Sequence, residues 1–189
     1  MSPIRVRGAQ PADYEPVGRL TVAAYRADGQ SPPGHPYERT LSDVAARAGV
    51  GDLLVAEHPH SGEVVGAVLF VLPGTRYAEL SGPGEAEFRM LAVDPAAQGR
   101  GVGEALVRAC LARGTRLGCR AVVICTRDIA AAAQRLYTRL GFERVPDRDW
   151  SPVPGINLVA LRRDLPAPAC ENEHISSRNE QPAGEPCGR

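Results

Sequence analysis

The residues best placed to do chemistry lie in one stretch, Leu91-Ala92-Val93-Asp94-Pro95-Ala96-Ala97-Gln98-Gly99-Arg100-Gly101-Val102-Gly103-Glu104. An apolar run stops at Asp94-Pro95, and an amphipathic run then begins among three alternating glycines. The first turn of a helix carries backbone N–H groups without intrahelical partners, at the positive end of the helix dipole. Glycine there lets a ligand approach the backbone closely, so the pattern describes an anion site suited to a pyrophosphate. Arg100 adds a donor for charge-assisted hydrogen bonds. A Walker loop needs Gly-Lys-Ser/Thr, and the chain has no lysine. The dinucleotide fingerprint G-x-G-x-x-G also fails, because the glycines fall at Gly99, Gly101 and Gly103, with Glu104 next.

Elements must position that loop. Ile4 to Arg7 alternates like an edge strand, and Pro11 opens a helical stretch to Arg26. Asp28 to Pro36 is a Gly/Pro loop, and a second helix is expected over Glu38–Ala48. Leu53–Glu57 and Glu63–Leu72, joined across Ser61-Gly62, read as a hairpin whose loop carries His58 and His60. After a loop over Pro73–Gly84 comes a strand, Glu87–Val93. Its alternation places Glu87, Arg89, Leu91 and Val93 on one face. The helix that follows, residues 101–117, shows an apolar stripe of Gly103, Leu106, Val107, Cys110 and Leu111, closed by Gly118. Ala121–Cys125 is a short buried strand, Ala130–Leu140 a helix closed by Gly141, and Phe142–Val145 and Ile156–Leu161 are the last strands. The domain is expected over residues 1–165, with 166–189 a disordered polar tail of Pro, Glu, Asn and Ser.

Composition narrows the function. The formal net charge is zero over 189 residues, which removes the basic field of a nucleic-acid binder. The hydrophobic fraction of 43% suffices for one core, while Val64–Leu72 is too short to span a bilayer. The N-terminus has no apolar signal region, so a cytoplasmic location is expected. Five cysteines, Cys110, Cys119, Cys125, Cys170 and Cys187, contain no CxxC pair, so neither a metal site nor a disulfide framework is expected.

The Gln98-x-x-Gly101-x-Gly103 pattern after Leu91-Ala92-Val93-Asp94-Pro95 resembles the acetyl-CoA loop of the GCN5-related N-acetyltransferase (GNAT) family. Ala133-Gln134-Arg135-Leu136-Tyr137-Thr138-Arg139-Leu140-Gly141-Phe142 is similar to the family's second signature, A-x-x-L-Y-x-x-x-G-F. The two stand in the family's order with one strand between. The resemblance implies a mixed α/β GNAT-like fold: a mostly antiparallel sheet of about seven strands, the fourth and fifth splayed, with about four helices. It implies an acetyl-CoA-dependent N-acetyltransferase that passes acetyl to a primary amine by direct attack in a ternary complex. A catalytically silent acyl-CoA-binding sensor is the alternative, and a homodimer stays open. CoA pyrophosphate is then expected on the amides of Gln98, Gly99, Arg100, Gly101, Val102, Gly103 and Glu104. The pantetheine arm would run along Leu91, Ala92 and Val93, with the Val93 N–H as oxyanion donor. Tyr137 matches the family's general acid, and Glu87 is the candidate general base, with Glu85 its substitute. Two departures stand out. Ala130 replaces an asparagine that contacts CoA in many relatives. Cys125 replaces the glutamate that acts as base in the branch acetylating ribosomal-protein N-termini, which argues against that acceptor class. Tyr25, His35, Tyr37 and Trp150, with Asp147 and Asp149, are the candidates for an acceptor pocket; the acceptor itself, a small molecule or a peptide amine, is left open.

Overall fold

The structure, a computed structural model, describes residues 4–166. The elements run β1 (Arg5–Gly8), α1 (Tyr14–Ala27), α2 (Tyr37–Ser42), α3 (Val44–Ala48), β2 (Asp52–Glu57), β3 (Val64–Val71), β4 (Glu85–Val93), α4 (Val102–Arg116), β5 (Ala121–Arg127), α5 (Ala131–Arg139), β6 (Glu143–Arg144), β7 (Trp150–Val153) and β8 (Ile156–Asp164). They form an eight-stranded sheet in the order β1-β2-β3-β4-β5-β8-β6, with β7 paired to β8. β4 and β5 are parallel, and the remaining pairs among the described residues are antiparallel. The parallel contact is brief: Glu85, Ala86 and Glu87 face Ala121, Val122 and Val123, and the strands then part.

Helices cover both faces of the sheet. On one face Leu106, Val107 and Cys110 of α4 and Tyr137 of α5 pack with Val68, Phe70, Phe88 and Ile124. On the other, Val17 of α1 and Val44 of α3 meet Leu53, Val55 and Ala67, while Leu41 of α2 meets Leu69, Val71 and Met90. Each such buried Val, Leu, Ile, Phe or Met side chain is worth about 1.5–3 kcal/mol of transfer free energy. No helix among the described residues is long and apolar enough to cross a membrane.

Three local features depart from the sequence expectation. The helix expected over residues 38–48 is broken at Asp43 (φ −79°, ψ 73°), whose side chain accepts the Ala46 N–H at 3.1 Å and caps α3. An aspartate whose side chain satisfies the backbone in this way competes with helix continuation. β7 lies outside the sequence expectation: Pro152 and the polar residues around it hide a short strand that pairs with β8. It brings the strands to eight, and the Asp43 break brings the helices to five.

The third departure decides the site. The β3–β4 register slips between Ala67 and Leu69, so β4 carries one extra residue there, and Met90 takes φ 53°. A bulge of this kind reverses the parity of everything beyond it. Glu87 and Arg89 therefore do not share a face with Leu91 and Val93, contrary to plain alternation. Leu91 and Val93 turn toward α4 and α5, while Met90 and Ala92 turn toward α1 and α2. The fully buried Arg47 of α3 holds the bulge, reaching the Met90 sulfur at 3.7 Å and the Leu41 carbonyl at 2.7 Å. The expected tail lies, beyond Pro166, outside the described residues.

Candidate active site

A cavity of about 620 Å³ opens where β4 and β5 diverge. Backbone register explains why polar groups face it. The Asp94 N–H donates to Val65 O at 2.9 Å, so Asp94 points toward β3. N–H directions alternate along a strand, which turns the Val93 and Leu91 N–H groups the other way, into the gap. β5 does not reach them, since its pairing with β4 ends at Glu87. Unpaired strand amides at a cavity need a partner.

The glycine loop closes one end. Asp94 caps the single turn Pro95–Ala97 through the Ala96 N–H at 2.8 Å, and the chain then enters α4 through Gly99 (φ 75°) and Gly101 (φ 82°). Neither glycine has a heavy atom within 4 Å of where a Cβ would stand, so both face open space. Gly103 serves packing instead: a Cβ there would lie 3.2 Å from Leu136 of α5. Gln98, Gly99, Gly101, Val102, Gly103 and Glu104 line the cavity, whereas the exposed Arg100 does not. The Glu104 carboxylate pairs with Arg108 at 2.8 Å and Arg139 at 3.5 Å, leaving its first-turn amide as the group the loop offers. The lining cations at this end are Arg135 and Arg139, one turn apart on α5. Sequence reasoning passed over both, because exposed arginines on a helix read as a solvated face.

Tyr137 lines the cavity and also belongs to the core. Its ring lies 5.8 Å from those of Phe88 and Phe142, and burial raises its pKa, which keeps the phenol protonated. Cys125 sits across the gap on β5. Burial pushes its thiol up to about 11, so it is a neutral wall residue and not a ready nucleophile.

The opposite side is built from aromatics. Tyr25, His35, Tyr37 and Trp150 all line the cavity, the two tyrosine rings 6.1 Å apart. Asp147 and Asp149 do not join them; Asp149 instead accepts the Ala160 N–H at 2.8 Å and pairs with Arg144 at 2.6 Å. Glu87 is likewise off the cavity wall. It is fully buried, and its Oε2 accepts the N–H groups of Glu79 (3.1 Å), Leu80 (2.9 Å) and Ser81 (3.0 Å). Burial raises its pKa against the pull of those amides and of Arg89. Glu85 is held by Arg148 at 2.9 Å and Arg162 at 3.2 Å. The carboxylate that does reach the cavity from this loop is Glu79, ion-paired with Arg89. Glu79 sits in a loop without periodicity, so no sequence signal singled it out.

A sequence profile of the Acetyltransferase (GNAT) family matches residues 18–142. The chain belongs to the GNAT acetyltransferase family. It is 33% identical over 174 residues to the N-alpha-acetyltransferase RimI of Mycobacterium tuberculosis, covering 84% of this chain and 99% of that one. It is 38% identical over 160 residues to the mycothiol acetyltransferase of Mycobacteroides abscessus, covering 80% of this chain but 44% of that relative's length. Among solved structures it resembles the yncA protein of Salmonella typhimurium, determined with its cofactor acetyl-CoA. That match has a TM-score of 0.60 at 22% identity, over 98% of this chain and 100% of that one, and is a likeness of fold. The resemblance drawn from the two signatures is thereby confirmed, as are the mixed sheet and the enzyme class.

Proposed function

We propose that this GNAT enzyme uses acetyl-CoA as donor and acetylates a primary amine by direct attack in a ternary complex. The observation that carries the reading is the parting of β4 and β5 after three residue pairs. It leaves the Leu91 and Val93 amides open to a cavity that continues from the glycine loop to the aromatic wall. On this reading, the amides from Gln98 to Glu104 with Arg135 and Arg139 hold the pyrophosphate. The edge of β4 takes the pantetheine arm as an added strand. The Val93 N–H then stabilises charge as it develops on the thioester oxygen, and Tyr137 returns a proton to the departing thiolate.

The amine approaches from the α1–α2 side. Glu79 is our choice for the group that receives its proton, directly or through water, and Glu87 for the group that holds the 79–81 loop in place. A Cys125 thiol pushed up to about 11 cannot replace a carboxylate base at the end of β5. That supports a small-molecule amine over a peptide N-terminus, although the name of the M. tuberculosis relative states N-alpha-acetyl transfer for that protein.

Calorimetric titration with acetyl-CoA, with NAD and ATP as controls, tests the donor. Selective micromolar binding is expected, followed by amine-dependent thiol release. Preference for NAD overturns the donor assignment, and tight acetyl-CoA binding without turnover on any amine favours the sensor.

A further inference from the structure

Four arginines line the cavity: Arg89, Arg127, Arg135 and Arg139. Arg89 is paired with Glu79 and lies 3.9 Å from Glu87, and Arg139 is paired with Glu104. Arg135 shares the α5 face that meets the glycine loop. Arg127 stands at the other end and differs in its partners. One terminal nitrogen donates to the Gln30 carbonyl at 3.1 Å, and its Nε is buried without any hydrogen-bond partner. Among the described residues no carboxylate forms an ion pair with it.

Strand register gives Arg127 its direction. It stands opposite Leu158, which in turn stands opposite Trp150, so the three lie side by side across β5, β8 and β7. Directly paired residues share a face. Alternation along β5 puts Cys125 on that face too, and Cys125 feels the charges of Arg89, Glu87 and Glu79. The row therefore borders the acceptor half of the cavity, where all three residues line the wall. The charged residues of that half are Asp28 and Glu79 against Arg89 and Arg127. Balanced charge of this kind does not suit a polyamine or another polycation, which would need an excess of carboxylates to replace its lost hydration.

We propose that the acceptor carries a carboxylate besides its amine, and that Arg127 receives it beside the apolar surface of Leu158 and Trp150. The acceptor is on this account a small amino acid or amino-acid-like zwitterion. A planar guanidinium with unspent donors matches a carboxylate in geometry as well as charge. The inference rests on the amine-acetylating reading above, and its test does not depend on turnover.

The experiment titrates the protein, saturated with CoA, with reaction products. A panel of N-acetyl amino acids with aromatic, aliphatic and polar side chains is compared with the N-acetyl amines that lack only the carboxylate. The better N-acetyl amino acids should bind about tenfold to a hundredfold more tightly than their decarboxylated counterparts, the usual worth of a charge-assisted contact. Arg127→Gln should erase that difference while leaving acetyl-CoA affinity unchanged, with the melting temperature lowered by no more than a few degrees for the lost Gln30 contact. Equal binding of the two series, tighter binding of the amines, or a carboxylate preference that survives Arg127→Gln each overturns the proposal. If the preference holds but no amine is ever acetylated, the anion site stands and the catalytic reading fails.

Discussion

Tyr137 and the two glutamates of the β4 region show how differently placed side chains of the right type can be. Tyr137 has one face in the core and one on the cavity, and its raised pKa suits a group that donates a proton only at the moment of need. Tyr137→Phe should lower kcat about a hundredfold, a normal loss for one general acid, with the acetyl-CoA Kd unchanged. Unchanged kcat would remove the acid role. Glu79→Gln should lower kcat/KM at least tenfold by the same reasoning. Glu87→Gln keeps an oxygen for the amides of residues 79–81 and should cost less than about threefold, a contrast read in one steady-state assay. The reverse ordering would return the base to Glu87.

At the scale of elements, the proposed site rests on the splayed strands and the glycine turn. Gly101→Glu adds a side chain where there is open space, at a cost of about 1–2 kcal/mol for the left-handed backbone. The variant should therefore fold, with a melting temperature a few degrees lower, while acetyl-CoA affinity falls by more than fiftyfold on the same calorimeter. Normal affinity would displace the pyrophosphate from this turn. Both signatures were legible because each is local: glycine spacing and helical periodicity are written in consecutive residues. The bulge at Met90 was not legible, because methionine has no preference for positive φ. It exists because β3, α2 and Arg47 hold it from three sides. The parity it imposes separates Glu87 from Leu91 and Val93, which plain alternation had joined.

For the whole molecule, Glu85 ties β4 to β8 and to the turn before β7 through Arg162 and Arg148. Burial opposes its ionisation, yet Arg148, the Gly82 amide and Arg162 together hold its carboxyl below the ordinary value. A lowered carboxyl contributes stability above the usual glutamate pKa of 4.5, and that stability is lost as pH falls through the lower folded value. Glu85→Gln should thus cost about 2 kcal/mol at pH near 7, less than a fully buried pair because both arginines reach water. Thermal melts of the two proteins should draw together as the pH falls from neutral to below 4.5, and a gap that stays constant through that fall would contradict the linkage. Leu165 packs against Gly114 and donates its N–H to the Arg120 carbonyl at 2.9 Å. Ending the chain after Leu165 should leave the melting temperature and turnover intact, whereas ending it before Leu165 should lower both.

Sequence alone determined the family, the glycine turn into α4, the tyrosine on α5 and most of the element order, since all depend on short-range spacing. It also picked out the aromatics Tyr25, His35, Tyr37 and Trp150 without showing that they meet. Tertiary structure decided that Glu79 and not Glu87 faces the cavity, that Arg127 has no carboxylate partner among the described residues, and that the glycine loop and the aromatic wall border one cavity. Those outcomes depend on sheet register and on the parting of β4 from β5. Both arise from contacts between residues far apart in the chain, and no local pattern encodes them.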